Sequence, residues 1–379
     1  MKWHDLCAAG NKTMKGIFLE DKKDASLVEL TIRRPSPPYK VFLPLQQGHV
    51  DRPAHPCVAV GMSVALGQKI ANPSHEQSVA LHASLSGKVE AIRSFQHPVL
   101  GRCKAIEIHS DGTHKKIPAL GQERPAWASL GAGQLLDLFQ ENGLLDLSLS
   151  MKPVHAALRR TEGDHPIQTV ILNGCESEPY VTSDHVLVMS HTMEILRGAD
   201  LLRKACGAEQ VRIVLRKDQL EAIELLKSKI FLCRLKGVEV CTVTPVYPQD
   251  TEALLIQAAG GPGPMAGYRP DQTGFEVLNI ATAFAAYEAV VLQKPLYERV
   301  VTMGGECIVD SKNLWIRNGA LFEDCLQACR GLLRQPRKVI MGGPMRGEAQ
   351  STLEIPVLKG TQAILVLPKE VARPQQVEP

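Results

Sequence analysis

A chain of 379 residues is too long for one ordinary core, so two or three domains are expected. Hydrophobic residues make up 44% and charged residues 22%, an ordinary globular balance, and the formal net charge is only +3. That charge, with 4% aromatics and no basic tract, excludes a nucleic-acid partner and a polybasic membrane contact. No apolar run approaches the roughly 18–20 residues of a bilayer span. The start, Met1-Lys2-Trp3-His4-Asp5, has no apolar signal core behind it, so a cytoplasmic chain is expected. None of the 10 cysteines forms a C-x-x-C pair, and they are expected to be reduced and packed.

Residues 1–35 are mixed and polar and read as an arm. From 41 to 110 the pattern is all-β: Val58-Ala59-Val60-Gly61 through Gly67-Gln68-Lys69-Ile70, then Val79 to Ile92, alternate apolar residues around turn glycines. This pattern resembles the barrel-sandwich fold of lipoyl and biotinyl carriers. The Met-Lys-Met hairpin tip of a biotinyl carrier is missing, so a structural sandwich is expected. Residues 111–130 read as a linker.

From 132 onward helices and strands alternate, which implies crossover connections and a mainly parallel sheet. Leu135, Leu138, Phe139 and Leu145 mark a helix broken at Gly143, and Gln168–Leu172 is a buried strand. Ile195, Ala199, Leu202 and Cys206 step along a helix that Gly207 stops. Val211–Leu215 is the next strand. Asp218 with Glu221 resembles a capping box ahead of the stripe Leu220, Ile223, Leu226, Ile230. Val238, Val240 and Val243 mark a third strand, after which Asp250 is expected to cap a helix. Phe275–Ile280 is a fourth strand before an Ala-rich helix. Beyond Pro295 come short strands at 300–303 and 314–317, a helix over 321–332, and a strand from Lys338 that turns at Gly342-Gly343-Pro344-Met345. The tail from Arg373 has no core pattern.

Several ordered segments resemble one family over roughly 40–368. They are Phe42-Leu43-Pro44-Leu45-Gln46-Gln47, Leu172-Asn173-Gly174-Cys175-Glu176-Ser177-Glu178-Pro179-Tyr180, Tyr247-Pro248-Gln249-Asp250-Thr251-Glu252, Asn279-Ile280-Ala281-Thr282-Ala283-Phe284-Ala285, Glu298–Thr302, Asn313–Arg317 and Val339–Met345. The family is the RnfC family, the NADH-facing part of the Rnf ion-translocating electron-transport complex, whose core is similar to the flavoprotein of respiratory complex I. The resemblance implies an α/β multidomain fold. Its parts would be a lipoyl-like β barrel-sandwich over 36–115, a parallel α/β flavin/NADH-type domain over 130–295, and a small β-grasp (SLBB-like) domain over 296–368, with a tail over 369–379.

It also implies FMN and NADH as ligands, two 4Fe-4S clusters in a C-terminal ferredoxin-like module, and membrane-embedded partners that hold the chain to the inner membrane from the cytoplasm. The family's G-x-G-G-A-G-F-P-T loop aligns with Asp146-Leu147-Ser148-Leu149-Ser150-Met151-Lys152-Pro153-Val154-His155, where only Pro153 and His155 match. A phosphate cradle needs closely approached backbone N–H groups, and every glycine is gone. Leu149 and Met151 are bulky where a ligand would lie, although Lys152 could neutralise a phosphate. The expectation is a lost flavin/NADH site and no cofactor in this chain.

Asn173, Glu176, Glu178 and Tyr180 persist, with Glu252 in the second loop. They read either as residual nucleotide contacts, with Pro153 and His155, or as a retained turn. A four-iron cluster needs four thiolates, whereas Cys325 and Cys329 make one i, i+4 pair and read as core. His109 and His114 read as surface residues and Gly260–Pro264 as a connecting turn, so no metal site is expected. The chain ends at Pro379, where the iron–sulfur module would begin, so the clusters would come either from a separate iron–sulfur protein or from a longer form of this chain. Alone the chain is expected to be inactive. The alternative is a non-redox scaffold or docking protein that keeps the fold, and a weaker one is a binding protein that uses its β-grasp domain.

Overall fold

The computed structural model describes residues 16–27, 30–159, 165–263 and 272–371. The tail from Arg373 and Pro264 of the glycine-rich turn lie outside the described residues.

The first unit is two facing sheets. Strands β1 (Lys40–Pro44), β2 (His55–Pro56), β3 (Ser63–Val64), β4 (Lys69–Asn72), β5 (Leu81–His82), β6 (Gly87–His97) and β7 (Gly101–Ser110) form sheets of order β1-β7-β6-β3 and β2-β4-β5. Alternation puts Val41, Leu43, Ile70, Leu81, Val89, Ile106 and Ile108 into one core between the sheets. Gly87 faces the His109 carbonyl so closely that no Cβ fits there, which explains a glycine at the head of a long strand.

The second unit carries β8 (Thr169–Asn173), β9 (Gln210–Arg216), β10 (Val238–Val243) and β11 (Phe275–Asn279), all parallel, in the order β10-β9-β8-β11. Helices Ala132–Glu141, Thr192–Cys206, Leu220–Leu232 and Ile280–Val290 bury their apolar stripes in its largest core. Gly207 ends its helix at φ 70, as the pattern predicts. The Ala-rich composition of Ile280–Val290 has a packing cause: a Cβ on Gly198 would strike the Ala283 carbonyl, so the two helices touch backbone to backbone.

The third unit, β12 (Glu298–Gly304), β13 (Lys312–Arg317), β14 (Lys338–Met341), β15 (Glu348–Gln350) and β16 (Ala363–Leu367), has the order β13-β12-β16-β14-β15 with β12 and β16 parallel. With helix Phe322–Ala328 across it, this is a β-grasp. Cys325 and Cys329 are packed in its core with Phe322 and Met341. Burial raises both thiols, Cys329 to about 12. Among the described residues no helix is long and apolar enough to cross a membrane.

Four local expectations change. Asp218 does not cap helix Leu220–Leu232; Gln219 holds that position and Asp218 pairs with Arg216 at 2.9 Å. Leu220 is exposed, and the buried stripe is Ala222, Ile223 and Leu226. Thr251, not Asp250, is the cap residue of Glu252–Ala258. The helix expected over 321–332 ends at Ala328.

The described part of the arm is bound to two of the units. Ile17 pairs with Tyr247, the Tyr180 amide donates to the Asp21 carbonyl, and Arg33 pairs with Leu314 at the edge of the third sheet.

Candidate functional site

The parallel sheet changes direction between β8 and β11: β9 and β10 lie to one side of β8, and β11 to the other. Open α/β sheets bind ligands outside the carboxyl ends of the strands at such a point. Here the two strands end in register on Asn173 and Asn279. A cavity of about 430 Å³ opens there.

Asn173, Glu176, Glu178 and Glu252 line this cavity, together with Asp146, Asp184, Asp250, Lys152 and Arg346. Pro153, His155 and Tyr180 do not. Pro153 caps helix Val154–Leu158 and pairs with Leu145. His155 is buried against the first unit, with Nε2 2.8 Å from the Glu76 carbonyl, and burial lowers its pKa. Tyr180 has φ 67, and its hydroxyl donates to Glu306 at 2.7 Å beside a different hollow of about 1220 Å³, lined in part by residues of 20–26 and 31–35.

The loop that replaces the glycine-rich segment is held from both ends. Asp146 Oδ1 accepts from the Asn279 amide at 2.7 Å and from the Thr282 hydroxyl at 2.9 Å, and Oδ2 accepts from the Ser148 hydroxyl at 2.5 Å. It thus serves the first turn of Ile280–Val290, where a carboxylate is favoured. Leu149 lines the cavity, as its bulk predicts. Met151 does not: at φ 48 it turns away and is buried in the core of the third unit, where a Cβ on Gly360 would come 2.7 Å from its sulfur.

Lys152 Nζ lies 2.5 Å from Glu276 and 3.9 Å from Glu252. Burial disfavours its ammonium, but Glu276, Asp146 and Glu252 outweigh this and raise its pKa. Burial also raises the Glu252 carboxyl.

The persistent turn is built by backbone capping. Glu176, at φ 46, accepts from the amides of Asp184 at 2.7 Å and His185 at 3.3 Å, which caps helix Ser183–Ser190. Lys23 of the arm donates to its carbonyl at 2.6 Å. Asp184 accepts from Asn279 Nδ2 at 2.6 Å; burial, then the nearby Glu176 charge, pushes its carboxyl up to about 7. Glu178 accepts from the Met345 amide at 2.8 Å and from Arg346 Nε at 2.7 Å, and Arg346 reaches Asp250 at 2.5 Å. This clamp joins the third unit to the second. Gly343 permits it, because a Cβ there would lie 2.5 Å from that of Glu178.

The phosphate of FMN would need free cations or open backbone amides here. Both cations that line the cavity are engaged by two carboxylates each. Asp146, Glu176, Glu178, Asp184, Asp250 and Glu252 surround the space. As arranged, these groups oppose an anion, and the residues do not fit a phosphate cradle of the usual kind. Sequence reading missed Arg346, Glu276 and the buried role of Asp184. Arg346 directly follows the Gly342-Gly343-Pro344-Met345 turn and Asp184 opens a helix, which are the only local signals for either.

A family model of the Nuo51 FMN-binding domain matches residues 140–288, and one of the RnfC barrel sandwich hybrid domain matches residues 11–113. The C component of the proton-translocating ferredoxin:NAD(+) oxidoreductase complex of Clostridium ljungdahlii is 34% identical over 332 residues, 88% of this chain and 71% of that protein. Its counterpart in the Na(+)-translocating complex of Acetobacterium woodii is 33% identical over 361 residues, 95% of this chain and 80% of that one. The corresponding component of the ion-translocating oxidoreductase complex of Pseudomonas aeruginosa is 31% identical, over 92% of this chain but 44% of its own length. A chain of an NAD+-reducing [NiFe]-hydrogenase shares the fold, with a TM-score of 0.54 and 18% identity over 65% of this chain and 48% of its own. With these relatives and this architecture, the chain belongs to the RnfC family of Rnf-type ion-translocating oxidoreductase complexes.

Proposed function

We propose that this protein is an RnfC-type component of an Rnf-like electron-transport complex whose own flavin/NADH site has been given up. The Lys152–Glu276 pair carries the reading. The one lysine in the position of the phosphate loop is neutralised by a carboxylate from β11, and Asp146 beside it is committed to the helix start. The protein would contribute its framework, with the membrane-embedded components as partners. It would sit on the cytoplasmic side, peripheral to the inner membrane.

Purification of the full chain tests this. The expected product is colourless, leaves FMN fluorescence unquenched on titration and does not oxidise NADH with artificial acceptors. Stoichiometric flavin retained through purification would overturn the reading. Co-purification with membrane-embedded partners separates a complex component from a free-standing binding protein.

A further inference from the structure

A second, much smaller cavity lies behind Asp184, where helices Ser183–Ser190 and Ile280–Val290 meet β12. Its volume is about 10 Å³, enough for one water molecule and far too small for an organic ligand. Leu187, Ala281, Phe284 and Ala285 give it apolar walls. Empty apolar cavities stay dry, but this one is not wholly apolar. Ser183 and Asp184 both line it, and Ser183 Oγ and Asp184 Oδ1 have no hydrogen-bond partner, although Ser183 is 1% and Asp184 3% exposed. A buried polar atom left unpaired costs roughly 1–3 kcal/mol, more when charged.

We infer that this cavity holds one internal water molecule, hydrogen-bonded between Ser183 Oγ and Asp184 Oδ1. A water donates to the carboxylate and exchanges a bond with the hydroxyl, which meets the minimum of about two partners that holds a buried water. A metal cation fits worse. Asp184 Oδ2 is already occupied by Asn279, and the buried, cationic Arg299 lines the same space. The water connects Asp184, which also lines the cavity of about 430 Å³, to the seam with the third unit. The inference does not depend on whether flavin binds.

A crystal structure of the full chain at a resolution that shows ordered solvent tests it. The expected result is one peak within hydrogen-bonding distance, about 2.7–3.2 Å, of both oxygens. An empty site, or an ion at metal–oxygen distance, overturns it. In solution, oxygen-17 relaxation dispersion counts long-lived internal waters. Ala285→Val fills the cavity and should lower that count by one relative to the unaltered chain; an unchanged count in the folded variant also overturns the inference.

Discussion

Lys152 and Glu276 face each other at 2.5 Å, one on the loop that replaces the family's glycine-rich segment and the other on the strand beside it. The pair is mostly buried, with side-chain exposures of 24% and 10%. Removing one partner of a buried pair leaves a desolvated charge, which costs about 3–5 kcal/mol when burial is complete and less when it is partial. Lys152→Met should therefore lower stability by about 2 kcal/mol, and adding Glu276→Gln should recover part of that loss. Urea midpoints measure both. Equal stability of the single variant and the parent would remove the pair as the loop's anchor.

Met151 and Gly360 make a second coupled pair. A non-glycine residue at positive φ costs roughly 1–2 kcal/mol, and Met151→Gly would relieve this. The same change empties a site that is 1% exposed, and losing a buried methionine side chain costs about 2–5 kcal/mol. The loss wins, so Met151→Gly should destabilise by about 2 kcal/mol. Gly360→Ala should overpack the same spot at a cost of about 1–3 kcal/mol. The two effects should be less than additive by at least about 0.5 kcal/mol in a double-mutant cycle. Strict additivity would show that Met151 does not fill that space.

Acid sensitivity should centre on Glu298. Burial alone would raise its carboxyl, but Lys294, Arg317 and Arg34 overcome this and hold it at about 2, below the usual 4.5. A lowered folded-state value means stability that is present above the unfolded value and lost as pH falls through the folded one. The window runs from pH 4.5 down to about 2, and the shift corresponds to about 3 kcal/mol. Glu298→Gln should destabilise at pH 7 and flatten the stability profile across that window. A profile in the variant as steep as the parent's would place the acid response elsewhere.

The architecture was legible because it rests on periodicity and short-range stops: alternation in the sandwich and helical steps ending at Gly207. What the sequence hid is pairing over distance. Asp250 looks like a cap for the helix that follows it, but its partner Arg346 lies 96 residues further on, in another unit. Asp218 likewise follows the local rule for a cap and is taken by Arg216 instead. Met151 reads as an obstruction in a ligand space, whereas its backbone conformation sends the side chain the other way. Glu176 and Glu178 look like parallel members of one motif. The fold uses the first to cap a helix and the second to receive Arg346, a division no local pattern encodes.

Arg346 gives the last prediction, because it holds the mouth of the cavity by two carboxylates that cannot easily lose it. Glu178 and Asp250 are buried, while the arginine side chain is 38% exposed. Burial disfavours the guanidinium, but Asp250 and Glu178 outweigh it and raise its pKa. Solvent screening of so exposed a partner reduces the full cost of breaking a buried pair, so Arg346→Met should destabilise by about 1–2 kcal/mol. Adding Asp250→Asn should restore part of the stability at pH 7. Hydrogen exchange gives an independent readout: the Met345 amide donates to Glu178, and its exchange should speed up in Arg346→Met while amides in β14 stay protected. Unchanged exchange at Met345 would mean that the Glu178 bond holds the turn without the arginine, and that the clamp is no more than a surface ion pair.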